Sequence, residues 1–417
     1  MSIVTSLTRM WLTRSVKPFR FHKEYDRVLP FGDCENLGLY VHIPFCRQLC
    51  GFCPYCKEVY DPERCTRYLD ALIQEIHTVG GQLPGKKQAT SLYFGGGTPA
   101  LAAGRLREVI GALEEHFVIT QGIGAELHPD NVTVPVLQAL REAGVTKISI
   151  GVQSFQEKYQ SLLGRAPVDR RALADALAAV PFEAVSMDFI FALPGQTFED
   201  LRGDLDAAFH SGANHVAIYP FIDFTFTSSA VPAMGKREKR LLLDRITRWC
   251  LDRGYARNSI WTFSNEKEAS YSSMTRDSFL GFGCSAATLL RDQFKINTFS
   301  VEEYCGRVDS GALPTALTLR FTPRQRMVYY LFWTAYSTRV DAEAFRHFFG
   351  IPLKKMYGLE LALAKHLGLV TERDGVYEMT LKGAFYYHYY ENFYTLAYID
   401  KMWGLLRKEA FPEGMEL

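Results

Sequence analysis

YVHIPFCRQLCGFCPYCK, residues 40–57, is the stretch from which the rest of the chain is read. Cys46, Cys50 and Cys53 give a C-x3-C-x2-C spacing, and Cys56 follows three positions on. A loop of this length brings three thiolates to one corner of a small iron–sulfur cube, and soft thiolates suit such clusters. Three ligands on a four-iron cluster leave one iron open to another molecule. Structural zinc, a disulfide pair and unrelated buried cysteines are the alternatives. Zinc usually takes a second ligand pair further along the chain, and no C-x2-C or H-x3-H partner is present. Just upstream, Gly38–Ile43 is a short apolar run that reads as a strand stopped by Pro44. The cysteine loop therefore leaves the end of a first strand.

Working outward, the same grammar repeats. Pro62–Gly80 has helical spacing, with Tyr68, Leu69, Leu72, Ile73 and Ile76 on one face. Ser91–Phe94 reads as a strand running into Gly95-Gly96-Gly97-Thr98-Pro99. Further strands are expected at Gly124–Leu127, Lys147–Val152, Ala184–Leu193 and His215–Pro220. Helices are expected at Leu106–Phe117, Val134–Ala143, Phe155–Leu163, Arg170–Val180, Phe198–Ser211 and Lys236–Arg253. Alternation of this kind implies a parallel sheet with helices outside. Six units are too few for a closed eight-fold barrel, so a partial (β/α)6 barrel is expected. Barrel chemistry sits at the C-terminal strand ends. The cysteine loop, GGGTP, Glu126 and Gln153 fall at such ends, and Asp188 lies within the fifth strand.

Past Tyr255 the alternation fades. Leu280-Gly281-Phe282-Gly283-Cys284-Ser285-Ala286-Ala287 reads as a small-residue turn, suited to close approach of a ligand or to tight packing. Pro314–Phe321 reads as a linker. Helices at Pro323–Thr334, Asp341–Phe349 and Lys355–Leu367 precede a hairpin, Leu369–Glu372 and Val376–Leu381, turning at Asp374-Gly375. Three helices and a hairpin make an α+β winged-helix-like module. Its DNA-binding reading is discounted, since the third helix carries little beyond Lys354, Lys355 and Lys365. The tail Phe385–Tyr398 is crowded with Tyr and Phe, for docking on the barrel or for holding an aromatic substrate. The expected division is an N-terminal basic and aromatic arm, residues 1–35, a barrel with its extension, 36–315, and the winged-helix-like domain with tail, 316–417.

Composition narrows the class. At 417 residues and 47% hydrophobic, the chain can bury a full core. A net charge of +1 gives no reason to expect nucleic acid or anionic lipid. Nine cysteines without a disulfide-scaffold spacing fit a reducing, cytoplasmic compartment. No apolar run reaches the roughly 18–20 residues needed to span a bilayer. Residues 1–22 hold Arg9, Arg14, Lys17 and Arg20 and no acid. They read as a transit peptide or as an arm lying on the barrel, and Trp11, Phe19 and Phe21 as apolar anchors favour the arm.

YVHIPFC leading into C-x3-C-x2-C resembles the radical S-adenosylmethionine (SAM) enzymes, and within them the oxygen-independent coproporphyrinogen oxidase-like family, across roughly residues 36–395. The resemblance implies that Cys46, Cys50 and Cys53 hold a [4Fe-4S] cluster whose open iron chelates SAM. One electron from the cluster would then yield a 5′-deoxyadenosyl radical. It also implies the SAM contacts. Tyr40 would touch the sulfonium and Phe52 would lie by the adenine. Gly96, Gly97 and Thr98 would receive the amino group. Glu126, Gln153, Arg165 and Asp188 would complete the polar shell, with Arg165 on the carboxylate. Read without the resemblance, Glu126 and Asp188 are strand-end caps, Gln153 a loop hydrogen bonder and Arg165 a surface charge. His42 and His128 are core histidines or neighbours of the site.

The chain departs from its subfamilies. The oxidases carry a cysteine where this chain has Tyr55, and a Phe-Gln pair where it has Tyr271-Ser272-Ser273-Met274-Thr275-Arg276. The haem chaperones' His-Asn…Tyr-Trp stretch is absent there too. By elimination the expected reaction is that of the class C radical SAM methyltransferases: C-methylation of an sp2 carbon in a flat ring (porphyrinoid, quinone or heteroaromatic) with two SAM molecules. The second SAM would lie near Gly96–Gly97 and the Gly281–Ala287 turn, against Ala287. Coproporphyrinogen oxidation and haem chaperoning are the alternatives. A small planar ring substrate, an electron donor such as flavodoxin or ferredoxin, and a monomeric chain are expected.

Overall fold

The six short apolar runs become six parallel strands laid side by side in chain order: Leu37–Ile43, Ser91–Gly96, Ile123–Leu127, Lys147–Gln153, Ala184–Phe191 and His215–Pro220. The computed structural model describes residues 3–23, 28–228, 234–265 and 277–417. The stretch 271–276, which weighs in the choice among subfamilies, lies outside them.

Period-two alternation sorts each strand. Leu39 and Val41, Leu92 and Phe94, Ile148 and Ile150, and Met187 and Phe189 are buried, in one core with the helices. Those helices bring Leu69, Leu72 and Ile76, then Leu106, Val109 and Leu113, then Leu137 and Leu140, then Leu201 and Leu205. Their ends follow local chemistry. Asp61 accepts from the Arg64 N–H at 2.8 Å to start Pro62–Gly80. A Thr197/Asp200 capping box starts Phe198–His210. Gly144, at φ +105°, ends Val134–Ala143.

The sheet is larger than the alternation implied. A seventh parallel strand, Ser278–Phe282, pairs with the outer edge of the first, Gly281 lying opposite Tyr40. The expected small-residue turn at Leu280–Gly283 is thus mostly strand, and only Gly283–Ala286 turns before Ala287–Leu289. A Cβ on Gly281 would sit 2.2 Å from the Ala287 carbonyl oxygen, and one on Gly283 2.4 Å from the Tyr68 hydroxyl. Those two glycines therefore serve packing. Beyond them the sheet continues antiparallel through Gln293–Asn297, Thr315–Arg320, Arg20–His22 and Gly414–Glu416, giving fourteen strands among the described residues.

Two expectations are corrected here. Pro314–Phe321 is no linker, because Thr315–Arg320 is a mostly buried strand paired on both sides. The boundary at 315/316 accordingly falls inside a strand. The N-terminal arm contributes a helix, Ile3–Thr13, and a sheet strand, Arg20–His22. Phe21 is buried as expected of an anchor, whereas Trp11 is 54% exposed.

Residues 323–379 form three helices and a three-stranded sheet, Arg339–Asp341, Val376–Met379 and Val370–Arg373, around a separate core of Met327, Tyr330, Phe345, Leu353, Tyr357 and Tyr377. The tail continues as helix Leu381–Tyr394, a π turn Thr395–Ile399 and helix Asp400–Leu406. Asp400 ties it to the loop after the sixth strand, accepting from the Thr225 N–H and hydroxyl at 2.8 Å each. Arg407 donates to the Pro54 carbonyl, closing the tail over the cysteine loop. No helix among the described residues is long and apolar enough to cross a membrane.

Candidate functional site

The inner faces of the seven strands line one cavity of about 1020 Å³, which the cysteine loop, Pro323–Tyr336 and the aromatic tail also wall. That is the upper end of the roughly 300–1,000 Å³ usual for small-molecule sites. Tyr40, Cys46, Cys50, Phe52, Cys53, Gly96, Gly97, Thr98, Glu126, Gln153, Arg165, Asp188 and Ala287 all line it. Every site residue expected from sequence is thus brought to one space.

Cys46 ends a two-residue strand, and the Thr98 hydroxyl points at its sulfur from 3.6 Å. The Cys53 N–H reaches the Cys50 carbonyl at 3.3 Å, and Lys57 Nζ donates to the Cys53 carbonyl at 2.5 Å. Burial pushes the Cys46 thiol up to about 11 and raises Cys53. These sulfurs hold their protons until a metal takes their place. Cys56 faces elsewhere: its thiol donates to the Phe299 carbonyl at 3.1 Å and lies 4.0 Å from the Cys284 sulfur.

His42 stands between the loop and the strand. Its Nε2 is 2.9 Å from the Cys56 carbonyl, which can only accept, so Nε2 carries the proton. Nδ1 then accepts from the Tyr40 hydroxyl at 3.0 Å. The core-histidine reading describes it, and the pair fixes the Tyr40 ring.

The glycine triplet is bare because of what packs on it. A Cβ on Gly95 would meet the Tyr40 ring at 2.9 Å, one on Gly96 the His42 ring at 2.8 Å, and one on Gly97 the Phe45 backbone at 2.6 Å. Gly96 also sits at φ +121°. The missing side chains let the cysteine loop lie on the second strand. The Gly96 N–H donates to Glu126 Oε2 at 3.1 Å and the Gly97 N–H to the Ile43 carbonyl at 2.8 Å. With those donors committed, the segment meets a ligand through oxygen acceptors, which suits an ammonium group.

Two carboxyls face the same end. Burial raises Glu126, and pushes Asp188 up to about 7 although Ser149 and Ser186 donate to it at 2.9 and 3.4 Å. Arg165 donates to the Gly151 carbonyl, and its buried Nε has no partner. Gln153 holds φ +71° at the end of the fourth strand, an unfavourable conformation for a non-glycine residue. His128, kept neutral by burial and by Arg165 with its pKa pushed down to about 4, completes this end. Three sulfurs, two carboxyls and a guanidinium with a spare donor fit an iron–sulfur cluster beside a zwitterionic, cationic-sulfur ligand.

The opposite end is aromatic. Trp261, Tyr329, Trp333, Tyr336, His388 and Glu391 line it, with Phe224 and Trp403 toward the loop. The tail docks: its helix packs Tyr394 on Phe332 with ring centroids 4.8 Å apart and His388 on Trp261 at 4.4 Å, and His388 and Glu391 line the cavity. The cations on the described lining are Arg47, Lys57, Arg165 and Arg326. Arg47 is exposed and Lys57 sits on the cysteine loop, while Arg326 is buried and donates to the Leu290 and Asp277 carbonyls. Sequence reading missed Tyr93, Ser149, Ser186, His215 and Tyr219. Their signal was there: single polar residues at period-two positions inside apolar strands.

Residues 40–208 match the radical SAM superfamily. An oxygen-independent coproporphyrinogen III oxidase of Pseudomonas aeruginosa is 26% identical over 333 residues, covering 70% of this chain and 72% of its own. A haem chaperone of Bacillus subtilis is 24% identical over 362 residues, covering 82% and 95%. Among solved structures, the coproporphyrinogen III oxidase of Escherichia coli superposes with a TM-score of 0.73 at 22% identity, over 92% of this chain and 96% of that one. This last likeness is one of fold. The chain thus carries a radical SAM domain and is similar, over most of its length, to coproporphyrinogen oxidases and haem chaperones. A radical SAM domain implies a [4Fe-4S] cluster and SAM. The relatives named here are an oxidase and a chaperone; neither is the methyltransferase that elimination favoured.

Proposed function

We propose that the protein is a radical SAM enzyme acting on a flat ring compound held between the cysteine loop and the aromatic tail. The observation that carries this is the single cavity joining Cys46, Cys50 and Cys53 to the Trp261–Trp333–Glu391 wall. When bound, the cluster and SAM supply a carbon-centred radical that abstracts hydrogen. The chain's own residues bind, orient and shield. Cys46, Cys50 and Cys53 would hold the iron. Glu126, its pKa raised by burial, and Asp188, pushed up to about 7, would ionise against an ammonium group. The spare Arg165 Nε would take the carboxylate. Tyr40, fixed by His42, and Phe52, packed with Tyr159, Leu163, Ile190, Leu193 and Phe221, would frame the nucleoside. The tail walls the space, and Glu126 and Asp188 lie buried in it, so their charges act in a lower dielectric than water.

For the reaction, C-methylation with two SAM molecules remains the preferred finer reading. A polycarboxylate such as coproporphyrinogen needs cations around its propionates, and the aromatic end offers none uncommitted among the described residues. Coproporphyrinogen oxidation is the second reading, favoured by the name of the Pseudomonas relative. Anaerobic incubation with labelled SAM and either coproporphyrinogen III or a heteroaromatic panel separates them. Methyl transfer gives S-adenosylhomocysteine, 5′-deoxyadenosine and a methylated ring. Carbon dioxide with 5′-deoxyadenosine and no S-adenosylhomocysteine restores the oxidase.

A further inference from the structure

Helix Leu381–Tyr394 sets His388 and Glu391 three residues apart, and both line the aromatic end of the cavity. Trp261 touches both. Its ring meets His388 edge to face at 4.4 Å between centroids, and its side chain lies near the Glu391 carboxyl. The second carboxyl oxygen, Oε2, is buried and has no partner, and neither has Nδ1 of His388, a residue only 4% exposed. Nε1 of Trp333, on the same wall, is also buried without a partner. Buried polar atoms are nearly always paired, so three such atoms on one cavity wall, between aromatic faces, await a ligand. Charge narrows its kind. Burial pushes Glu391 up to about 8 and His388 down to about 3, so both are neutral near pH 7. A neutral Glu391 can carry its proton on the unpartnered Oε2, on the cavity wall, where it offers a donor to an acceptor.

We propose that Glu391 Oε2, framed by Trp261 and His388, donates to an unprotonated ring nitrogen of the substrate, which is therefore a pyridine- or thiazole-type heteroaromatic compound rather than a polycarboxylate. This rests on the reading that the cavity holds a flat ring substrate. It adds the atom by which that ring is chosen and turned, and it makes Glu391 a specificity-determining contact of the C-terminal tail.

The test uses the full-length, cluster-reconstituted protein and three probes of one outline, quinoline, naphthalene and 2-naphthoate, titrated by saturation-transfer NMR. Quinoline should bind about tenfold more tightly than naphthalene, the scale of one added hydrogen bond. Glu391→Leu should erase the preference. Glu391→Gln, whose amide N–H also donates, should keep most of it. Iron content and far-ultraviolet circular dichroism of both variants report folding. Equal binding of quinoline and naphthalene by the wild type overturns the proposal. So do a preference that survives Glu391→Leu, tighter binding of 2-naphthoate, or no binding of quinoline. Cleavage of SAM in the same samples stands apart. If it fails while the quinoline preference holds, the radical SAM reading falls and the heteroaromatic site remains.

Discussion

Replacing Glu75 by leucine tests how the seventh strand is held beside the site. Glu75 is 3% exposed on helix Pro62–Gly80. It accepts from the Tyr304 hydroxyl at 2.6 Å, the Gly283 N–H at 2.7 Å and Asn297 Nδ2 at 3.1 Å. Asn297 keeps a second bond, to the Gly283 carbonyl at 2.9 Å, so the substitution strands two donors. At about 1–3 kcal/mol per buried donor left unmet, the loss is about 2–6 kcal/mol. pH gives a second handle. Burial pushes Glu75 up to about 7 from an ordinary 4.5. Between those values the folded chain binds the extra proton, so wild-type stability falls as pH rises, by about 3 kcal/mol at most, and levels off above 7. The variant lacks this component. Its deficit in urea-unfolding midpoint, followed by circular dichroism, should be large at pH 5 and smaller at pH 8. Tyr304→Phe added to Glu75→Leu removes one stranded donor and should recover part of the loss. A variant as stable as wild type, or a deficit that grows with pH, refutes the reasoning.

Arg165→Ala removes the guanidinium whose Nε has no protein partner; SAM affinity, measured by equilibrium dialysis, should fall by about 1.5–3 kcal/mol, the range for hydrogen bonds to charged groups. An unchanged affinity would return Arg165 to an ordinary charge. Ala287→Leu adds three carbons at the cavity wall. It should block product formation while iron content and SAM cleavage persist, and full turnover would place the second ligand elsewhere.

The site was more legible than the sheet around it. Cysteine spacing, the GGGTP turn and polar residues at strand ends are local signals, and a parallel β/α repeat places them in one mouth by construction. What escaped depends on distant pairing. Gly281 looked like a turn residue, but the strand needs it because the Ala287 carbonyl lies where a Cβ would go. Thr315–Arg320 lacks strand-like neighbours in sequence, and its pairing with Gln293–Asn297 and Arg20–His22 bridges remote segments. The bareness of the triplet Gly95–Gly97 has a cause that a local reading could not see, since it accommodates Tyr40, His42 and Phe45. The tail was legible only as a run of aromatics, and which of its residues face the cavity depends on how the helix docks.

Anaerobic reconstitution of four single variants, with iron and sulfide counted and 5′-deoxyadenosine measured after reduction, tests the central claim most directly. Cys46→Ala, Cys50→Ala and Cys53→Ala should each lose the cluster and SAM cleavage, against about four irons and four sulfides in wild type. Cys56→Ala should keep both, because its thiol is turned to the Phe299 carbonyl and Cys284. Loss of iron from Cys56→Ala with retention in Cys53→Ala would contradict the account.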